Sequence, residues 1–226
     1  MVELQKKSDW WGEGNCNISK LFCAYPERIK FKIQENDINL EMAALNNDLD
    51  IIYGLDALKT EEFKKNSEIM SDYYVEKYLF SGVVYLTFNN RHEFLSDKNV
   101  RKALSFLTAP KQFTQSFLKN SATTVGSPLD KSILPIQYSK DSCIMYLKKA
   151  GWERLGDKWI KNNKVLELDF LLQAGNKNSE DYAVFFKNNC EQLSIKINLV
   201  PLEFSSYLKG LREGEFALTR LGMGFN

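Results

Sequence analysis

The sequence contains a single histidine, His92, and that scarcity excludes most common catalytic and metal-binding arrangements. It has no His-Glu-x-x-His motif, no Gly-x-Ser-x-Gly elbow, no P-loop and no Gly-x-Gly-x-x-Gly fingerprint. His92 itself lies in a polar turn, where a solvated turn residue is the plainest interpretation. The acidic residues are scattered, and no pair has an apolar setting suited to acid catalysis. The sequence therefore predicts a protein that is not an enzyme and that holds neither a metal nor a cofactor.

Long apolar runs and an excess of one charge are also missing. Without an apolar run of about 18 residues, no transmembrane helix is predicted. The opening MVELQKKSDWWGEGN lacks the apolar core of a signal peptide, so no export signal is predicted. The 30 basic and 29 acidic residues nearly cancel, and basic residues are not interleaved with aromatic ones along one face. We therefore expect no membrane insertion and no nucleic-acid partner.

Only four cysteines are present. Cys16 and Cys23 lie in a polar, loop-like stretch. They form a small disulfide if the compartment is oxidising, and otherwise remain ordinary reduced thiols. Cys143 and Cys190 lie on apolar helical stripes and are predicted to be core residues. No second close pair of Cys or His accompanies the first two cysteines, which argues against a zinc site.

The clearest positive signal is the stretch 83–107, VVYLTFNNRHEFLSDKNVRKALSFL. Its first part predicts a strand with two alternating faces: Val84, Leu86 and Phe88 on an apolar face, and Val83, Tyr85, Thr87 and Asn89 on a mixed one. Such a strand packs its apolar face on a core and turns the other toward water or a ligand. Ser96 or Asp97 can cap the helix that follows. Its stripe is Val100, Ala103, Leu104 and Leu107, and Pro110 predicts its end.

The rest of the chain predicts an α/β protein. Before this stretch, strands are predicted at 27–33 (with Ile29, Phe31 and Ile33 buried), 50–54 and 73–78, and helices near 40–44 and 58–63. After it, helices are predicted at 111–118, 139–150, 179–193 and 204–213. The intervening strands are 158–160, 165–172, 195–199 and 216–222, with a hairpin turn at 162–163 and an ordered loop over 120–135. This alternation is typical of helices packed on a sheet.

Several motifs resemble those of a known family. The pattern formed by residues 85–89, 94–97 and 100–104 resembles the core signature of the solute-binding proteins that serve peptide, dipeptide and nickel ABC importers, known as solute-binding protein family 5. Residues 147–152, LKKAGW, and the pair Ser127-Pro128 resemble further family segments. Asp50-Ile51 matches the end of a family turn in part, because Asn47 stands where glycine is usual.

The resemblance implies a two-lobed α/β fold of the periplasmic-binding-protein type II class. This chain would supply a truncated portion with mixed sheets flanked by helices: part of lobe I over residues 1–81 and most of lobe II over 82–226. The implied function is substrate binding for an ABC-type peptide importer. The implied ligand is an extended peptide or another small solute, and the implied partners are permease subunits. A periplasmic or cell-envelope location is implied as well.

The resemblance also implies a set of ligand-binding residues. The segment from Arg220 to Asn226 is similar to the family's Gly-Trp-x-x-Asp strand, whose backbone pairs with the ligand. Met223 replaces the usual Trp, and Asn226 replaces the Asp that neutralises a peptide amino group. A neutral amide lacks that charge, so free peptide amino termini are not expected as ligands. The complete implied set is Tyr85, Thr87, Asn89, Arg220, Gly222, Met223, Gly224 and Asn226.

Two other functions remain open at this point. The chain could be a non-functional remnant or split-gene product of such a binding protein, or a small metabolic enzyme that uses His92. Ligand capture in this class requires two lobes that close about a hinge. Since one lobe is represented here by a fragment, we expect this chain alone to bind peptides weakly or not at all.

Overall fold

The computed structural model describes residues 1–12, 14–20, 23, 25–33, 37–55, 57–76, 82–127, 130 and 132–224. These residues form two compact units, Met1–Val75 and Glu76–Asn226, each described here by itself. The assignment of residues 1–81 and 82–226 to two lobes stays a prediction.

The first unit has a small core. Strands β1 (Val2–Gln5) and β2 (Arg28–Phe31) form an antiparallel ribbon. Helices α1 (Asp37–Leu45), α2 (Ala57–Lys65) and α3 (Ile69–Asp72) follow. Among the described residues, the buried cluster of this unit consists of Ala44, Phe63 and Ile69. Cys16 and Cys23 lie side by side, with their Cα atoms 5.0 Å apart, and are paired as a disulfide.

Of the strands predicted in this unit, the one over 27–33 forms in part, as β2, and the one over 50–54 is wrong. The strand over 27–33 is shorter, and its apolar side chains are exposed: Ile29 to 44%, Phe31 to 52% and Ile33 to 75%. The register of β1 and β2 places Val2, Leu4, Ile29 and Phe31 on one face. A two-stranded ribbon cannot bury such a face without a second layer. Residues 50–54 form no strand, because none of the described strands pairs with them, and Ile51 and Tyr53 are exposed.

The third predicted strand of this region, at 73–78, is also wrong where it is described. Residues 73–76 are irregular, and 77–78 lie outside the described residues. The turn before residue 50 behaves as expected. Asn47 adopts a left-handed conformation (φ 55°), and the Asp48 N–H donates to the Ala43 carbonyl at 2.9 Å.

The second unit contains a four-stranded mixed sheet covered by helices. Its first elements are β3 (Gly82–Phe88), α4 (Lys98–Ser105), α5 (Pro110–Ser116), α6 (Lys140–Lys149), β4 (Glu153–Leu155), β5 (Lys158–Lys161) and β6 (Lys164–Val165). The remaining ones are β7 (Glu167–Gln173), α7 (Lys177–Glu191), β8 (Lys196–Leu202), α8 (Phe204–Glu213) and β9 (Leu218–Gly224). The strand order is β3-β9-β7-β8, antiparallel between β3 and β9 and parallel elsewhere. A second sheet consists of β4, β5 and β6.

The core of this unit follows the predicted stripes. Leu168 and Phe170 of β7 are fully buried, and the large cluster around them includes Val100, Ala103, Leu104, Leu107, Cys143, Leu147, Phe186, Cys190 and Ile197. Full burial of each large aliphatic or aromatic side chain contributes about 1.5–3 kcal/mol. The apolar spacing of Phe204, Tyr207, Leu208 and Leu211 predicts one buried face for α8. Phe204 is an exception: it is exposed, because α8 buries Tyr207 and Gly210 instead.

The helix ends match their local sequences. Asp97 caps α4 by accepting from the Asn99 N–H at 2.8 Å, and Ser139 caps α6 by accepting from the Ser142 N–H at 3.1 Å. Gly151 ends α6 in a left-handed conformation (φ 80°). The hairpin between β5 and β6 turns through Asn162 and Asn163, both at positive φ. The α/β class, with mixed sheets flanked by helices, is thereby confirmed.

Among the described residues, we find no helix whose length and hydropathy would suit a membrane span.

Candidate functional site

The predicted site residues lie mainly on the ribbon formed by β3 and β9. Its register pairs Val84 with Gly222, Leu86 with Arg220 and Phe88 with Leu218 on one face. The other face pairs Val83 with Met223, Tyr85 with Leu221 and Thr87 with Thr219. Directly opposed residues of an antiparallel pair project to the same side. The ribbon therefore separates Tyr85, Thr87 and Met223 from Arg220, Gly222 and Gly224.

The apolar face of β3 is only partly buried. Leu86 and Phe88 pack against the large core, as predicted, whereas Val84 is 56% exposed. Val84 lies opposite Gly222, and Gly222, Met223 and Gly224 are all exposed at that end of the ribbon. The exposed end, formed by residues 82–85 and 221–224, carries the side chains of Tyr85 (40% exposed) and Met223 (39% exposed). We call it the ribbon tip.

Gly222 is a glycine that the fold does not require. Its φ is not positive, and a Cβ at this position would lie 3.8 Å from Val84 Cγ2 and 4.0 Å from the Val83 carbonyl oxygen. Those distances are ordinary van der Waals contacts, so an alanine would fit. A glycine inside a strand costs stability and often marks a place where a ligand or another backbone approaches closely.

Thr87 and Asn89 lie toward the inner end of the ribbon. The Thr87 hydroxyl is buried and has no hydrogen-bond partner in the described part of the chain. Its neighbour Thr219 shares a hydrogen bond of 3.0 Å with the Tyr207 hydroxyl. The Asn89 amide donates to the carbonyls of Gly214 (2.9 Å) and Phe216 (2.8 Å), and its oxygen accepts from the Arg91 N–H. These bonds tie the end of β3 to the segment after α8.

Arg220 lies on the helix-covered face, in an aromatic surrounding. Its guanidinium is 5.5 Å from the ring centre of Phe113 and 5.0 Å from that of Tyr182, and it donates to the Asn178 carbonyl at 2.7 Å. Burial lowers the pKa of Arg220, while the proximity of Tyr182 acts in the opposite direction. The aromatic cluster, which also includes Phe117 and Phe185, escaped sequence analysis. The i,i+4 spacing of Phe113 and Phe117 is the signal that could have revealed it.

The remaining candidates have structural surroundings. The His92 Nδ1 accepts from the Phe94 N–H at 3.3 Å, and burial lowers the pKa of His92 against the opposing effect of Glu93 and Asp169. Arg101 donates to the carbonyls of Leu95 and Ser96, so it holds the loop before α4. We find no cluster of three or more His, Cys, Asp or Glu suited to a metal among the described residues. Asn226 and Pro128 lie outside those residues.

The structure thus shows an exposed strand end that contains Gly222, a glycine the fold does not require, beside Tyr85 and Met223. The half-buried Arg220 lies further along β9. The roles of all eight predicted ligand-binding residues stay predictions.

Comparison with known proteins identifies the same family that the sequence motifs resemble. The sequence profile of a family described as bacterial extracellular solute-binding proteins, family 5, middle region, matches residues 1–226. The oligopeptide-binding protein AppA of Bacillus subtilis (strain 168) is 22% identical over 179 residues, which are 74% of this chain and 32% of AppA.

Solved structures show the same fold. The structure of AppA from Bacillus subtilis in complex with a nonapeptide matches with a TM-score of 0.73 and 17% identity, covering 88% of this chain and 41% of that chain. NikA from Brucella suis in complex with Fe(III)-EDTA matches with a TM-score of 0.75 and 20% identity, covering 88% and 42%. The chain therefore spans less than half the length of these relatives.

Proposed function

The chain belongs to family 5 of the bacterial extracellular solute-binding proteins, and from this premise we propose that it is a solute-binding component of an ABC-type peptide importer. Membership of a family of binding proteins agrees with the prediction that the chain is not an enzyme. The second unit would supply most of lobe II, and the first unit a part of lobe I. Its working place would be the periplasm or cell envelope, and permease subunits would receive the solute.

The observation that carries this proposal is the ribbon tip. At Gly222 the backbone is open to approach, although the packing leaves room for a side chain. An extended peptide can add to such a strand end through main-chain hydrogen bonds, while neighbouring side chains give specificity. Tyr85 and Met223 would be those neighbours on one face of the ribbon.

The ligand that fits this chain best lacks a free amino terminus. Met223 and Asn226 replace the Trp and Asp expected of a peptide binder in this segment. Without a carboxylate at residue 226, a ligand ammonium loses a charge-assisted hydrogen bond, which contributes about 1.5–3 kcal/mol. An amino-terminally blocked peptide has no such requirement.

Nuclear magnetic resonance titration with amino-terminally acetylated tri- to pentapeptides tests the proposal. We expect saturable shifts of the backbone amides of Tyr85 and residues 222–224, at millimolar peptide because one lobe alone closes no cleft. Gly222→Ala should fold normally and weaken these shifts, and Met223→Ala should do the same. Met145→Ala, at an exposed methionine on α6, is the matched control and should change nothing.

Two outcomes would contradict the proposal: no saturable shift with any peptide, or shifts that the Gly222→Ala and Met223→Ala variants leave unchanged. The expected weakness of binding has its own check. A thermal-shift screen with di- to pentapeptides should show no stabilisation at micromolar ligand, and a clear shift would overturn that expectation.

A further inference from the structure

A cavity of about 330 Å³ lies in the second unit, away from the ribbon tip. It is lined by Glu93, Phe94 and Asp97 before α4, by Trp152 after α6, and by Lys161 and Lys164 of the hairpin formed by β5 and β6. The segment 89–97 follows Phe88, which pairs with Leu218 at the start of β9. Seven residues of strand separate that end from Gly224, a distance of about 20 Å. The cavity is therefore distinct from the proposed peptide site.

The apolar part of the wall is rigidly held. The ring of Phe94 meets that of Trp152 edge to face, with centroids 5.1 Å apart and an interplanar angle of 90°. Trp152 is only 3% exposed, because its ring packs in the large core. An apolar group in the cavity would meet the half-buried ring of Phe94, whose position is fixed by its contact with Trp152.

Two cations and two anions line the same cavity, and only half of these charges are matched. Lys164 and Glu93 form an ion pair with each other. The Lys161 ammonium donates one hydrogen bond to the Ala150 carbonyl at 2.6 Å, and Asp97 Oδ1 accepts from the Asn99 N–H at 2.8 Å. Within the described part of the chain, neither Lys161 nor Asp97 has an ion-pair partner. An ammonium retains two donors and a carboxylate retains a second oxygen in this arrangement.

We propose that this cavity binds a small zwitterion, namely a free α-amino acid with an apolar side chain. Lys161 would receive its carboxylate, Asp97 would receive its ammonium, and the half-buried ring of Phe94 would contact its side chain. The volume lies at the lower end of the range for small-molecule sites, which suits a single amino acid. Both polar contacts would be charge-assisted hydrogen bonds. This site is independent of the peptide-binding role proposed above.

Isothermal titration calorimetry and amide shift mapping with L-leucine test the inference on the whole chain. We expect saturable binding with shifts of residues 93–97, 152 and 161–164. N-acetyl-L-leucine lacks the ammonium and L-leucine amide lacks the carboxylate, so each should bind about tenfold or more weakly. Absence of saturable L-leucine binding, or binding of either analogue as tight as that of L-leucine, would overturn the inference.

Substitutions at Lys161 and Asp97 test the two polar contacts proposed for the amino acid. Lys161→Met and Asp97→Asn should each weaken L-leucine binding about tenfold or more; asparagine still caps α4 as well as aspartate does. Lys148→Met, at an exposed lysine near the end of α6, is the matched control and should bind L-leucine normally. Normal binding by both cavity variants would exclude these roles. If either variant fails to fold, the analogue comparison on the unaltered chain decides the question.

Discussion

The buried hydroxyl of Thr87 is expected to lower the stability of the folded state. Its Oγ1 is removed from water and has no partner among the described residues, whereas Thr219, directly opposite, bonds to Tyr207. We expect Thr87→Val to leave the free energy of unfolding unchanged or to raise it by up to about 1 kcal/mol, because valine has the same shape without the unsatisfied group. Urea unfolding measures this. Thr219→Val is the control and should lose about 1 kcal/mol; equal losses in both variants would contradict the assignment.

Asn89 should matter more for stability than its half-buried position just after β3 suggests. Its amide donates to two backbone carbonyls, those of Gly214 and Phe216. Asn89→Ala leaves both acceptors without that donor, so we expect a loss of about 1–3 kcal/mol in denaturant unfolding. The adjacent Asn90 is exposed, and Asn90→Ala should stay within about 0.5 kcal/mol of the unaltered protein. A negligible effect of Asn89→Ala would show that these two bonds contribute little.

His92 gives the folded state a dependence on pH. Burial lowers its pKa below the ordinary value of 6.5, so the folded state binds the proton less readily than the unfolded state. The contribution of His92 is present above the unfolded pKa and is lost as the pH falls through the folded one. Between about pH 7 and about pH 5, the unaltered chain should lose more stability than His92→Gln. If the urea midpoints of the two proteins fell by the same amount over this pH range, His92 would not be the source of the pH dependence.

At the level of elements, glycine variants separate what the fold needs from what a ligand would need. Gly151 ends α6 at φ 80°, where a side chain is strained, and Gly222 has no such restriction. We expect Gly151→Ala to cost about 1–2 kcal/mol in thermal or urea unfolding. Gly222→Ala should stay within about 0.5 kcal/mol. A large loss of stability in Gly222→Ala would mean that strand packing, not ligand approach, explains the glycine.

Helices were predictable from the sequence because their signals are local: an apolar stripe, a capping residue and a terminal glycine. The stripe of Val100, Ala103, Leu104 and Leu107 is completely buried, and the Asp97 cap and the Gly151 end lie where local chemistry places them. Strands depend on distant partners. The strand over 27–33 had suitable alternation and pairs with β1, but the described residues supply no second layer to bury its apolar face. The segment 50–54 has a short apolar run, but none of the described strands pairs with it.

The candidate site was only partly predictable for a similar reason. Alternation correctly placed Tyr85 and Thr87 on one face of β3. The bonds of Asn89 and the aromatic surroundings of Arg220 depend on residues about 40 to 125 positions away in the chain. No local pattern encodes contacts of that range, and the cavity near Trp152 likewise arises where three separate segments meet.

At the scale of the whole molecule, the two units should differ greatly in stability. Among the described residues, the buried cluster of the second unit includes residues from more than six helices and strands, whereas that of the first unit consists of three residues. A chain that buries so little apolar surface does not offset its conformational entropy. We expect a 76–226 fragment to unfold cooperatively, with dispersed amide resonances. A 1–75 fragment should give the narrow dispersion of an unfolded chain, and a well-folded spectrum from it would contradict this account.

Cys143 and Cys190, the two buried cysteines of the second unit, make its unfolding measurable by thiol alkylation. Burial raises the pKa of Cys143 to about 12 and that of Cys190 well above its ordinary value, so almost no thiolate is present at neutral pH. Cys16 and Cys23 are paired in a disulfide and do not react with an alkylating agent. Under non-reducing conditions, alkylation therefore occurs only in molecules whose core is unfolded. The alkylation rate then measures how often the core of the second unit unfolds.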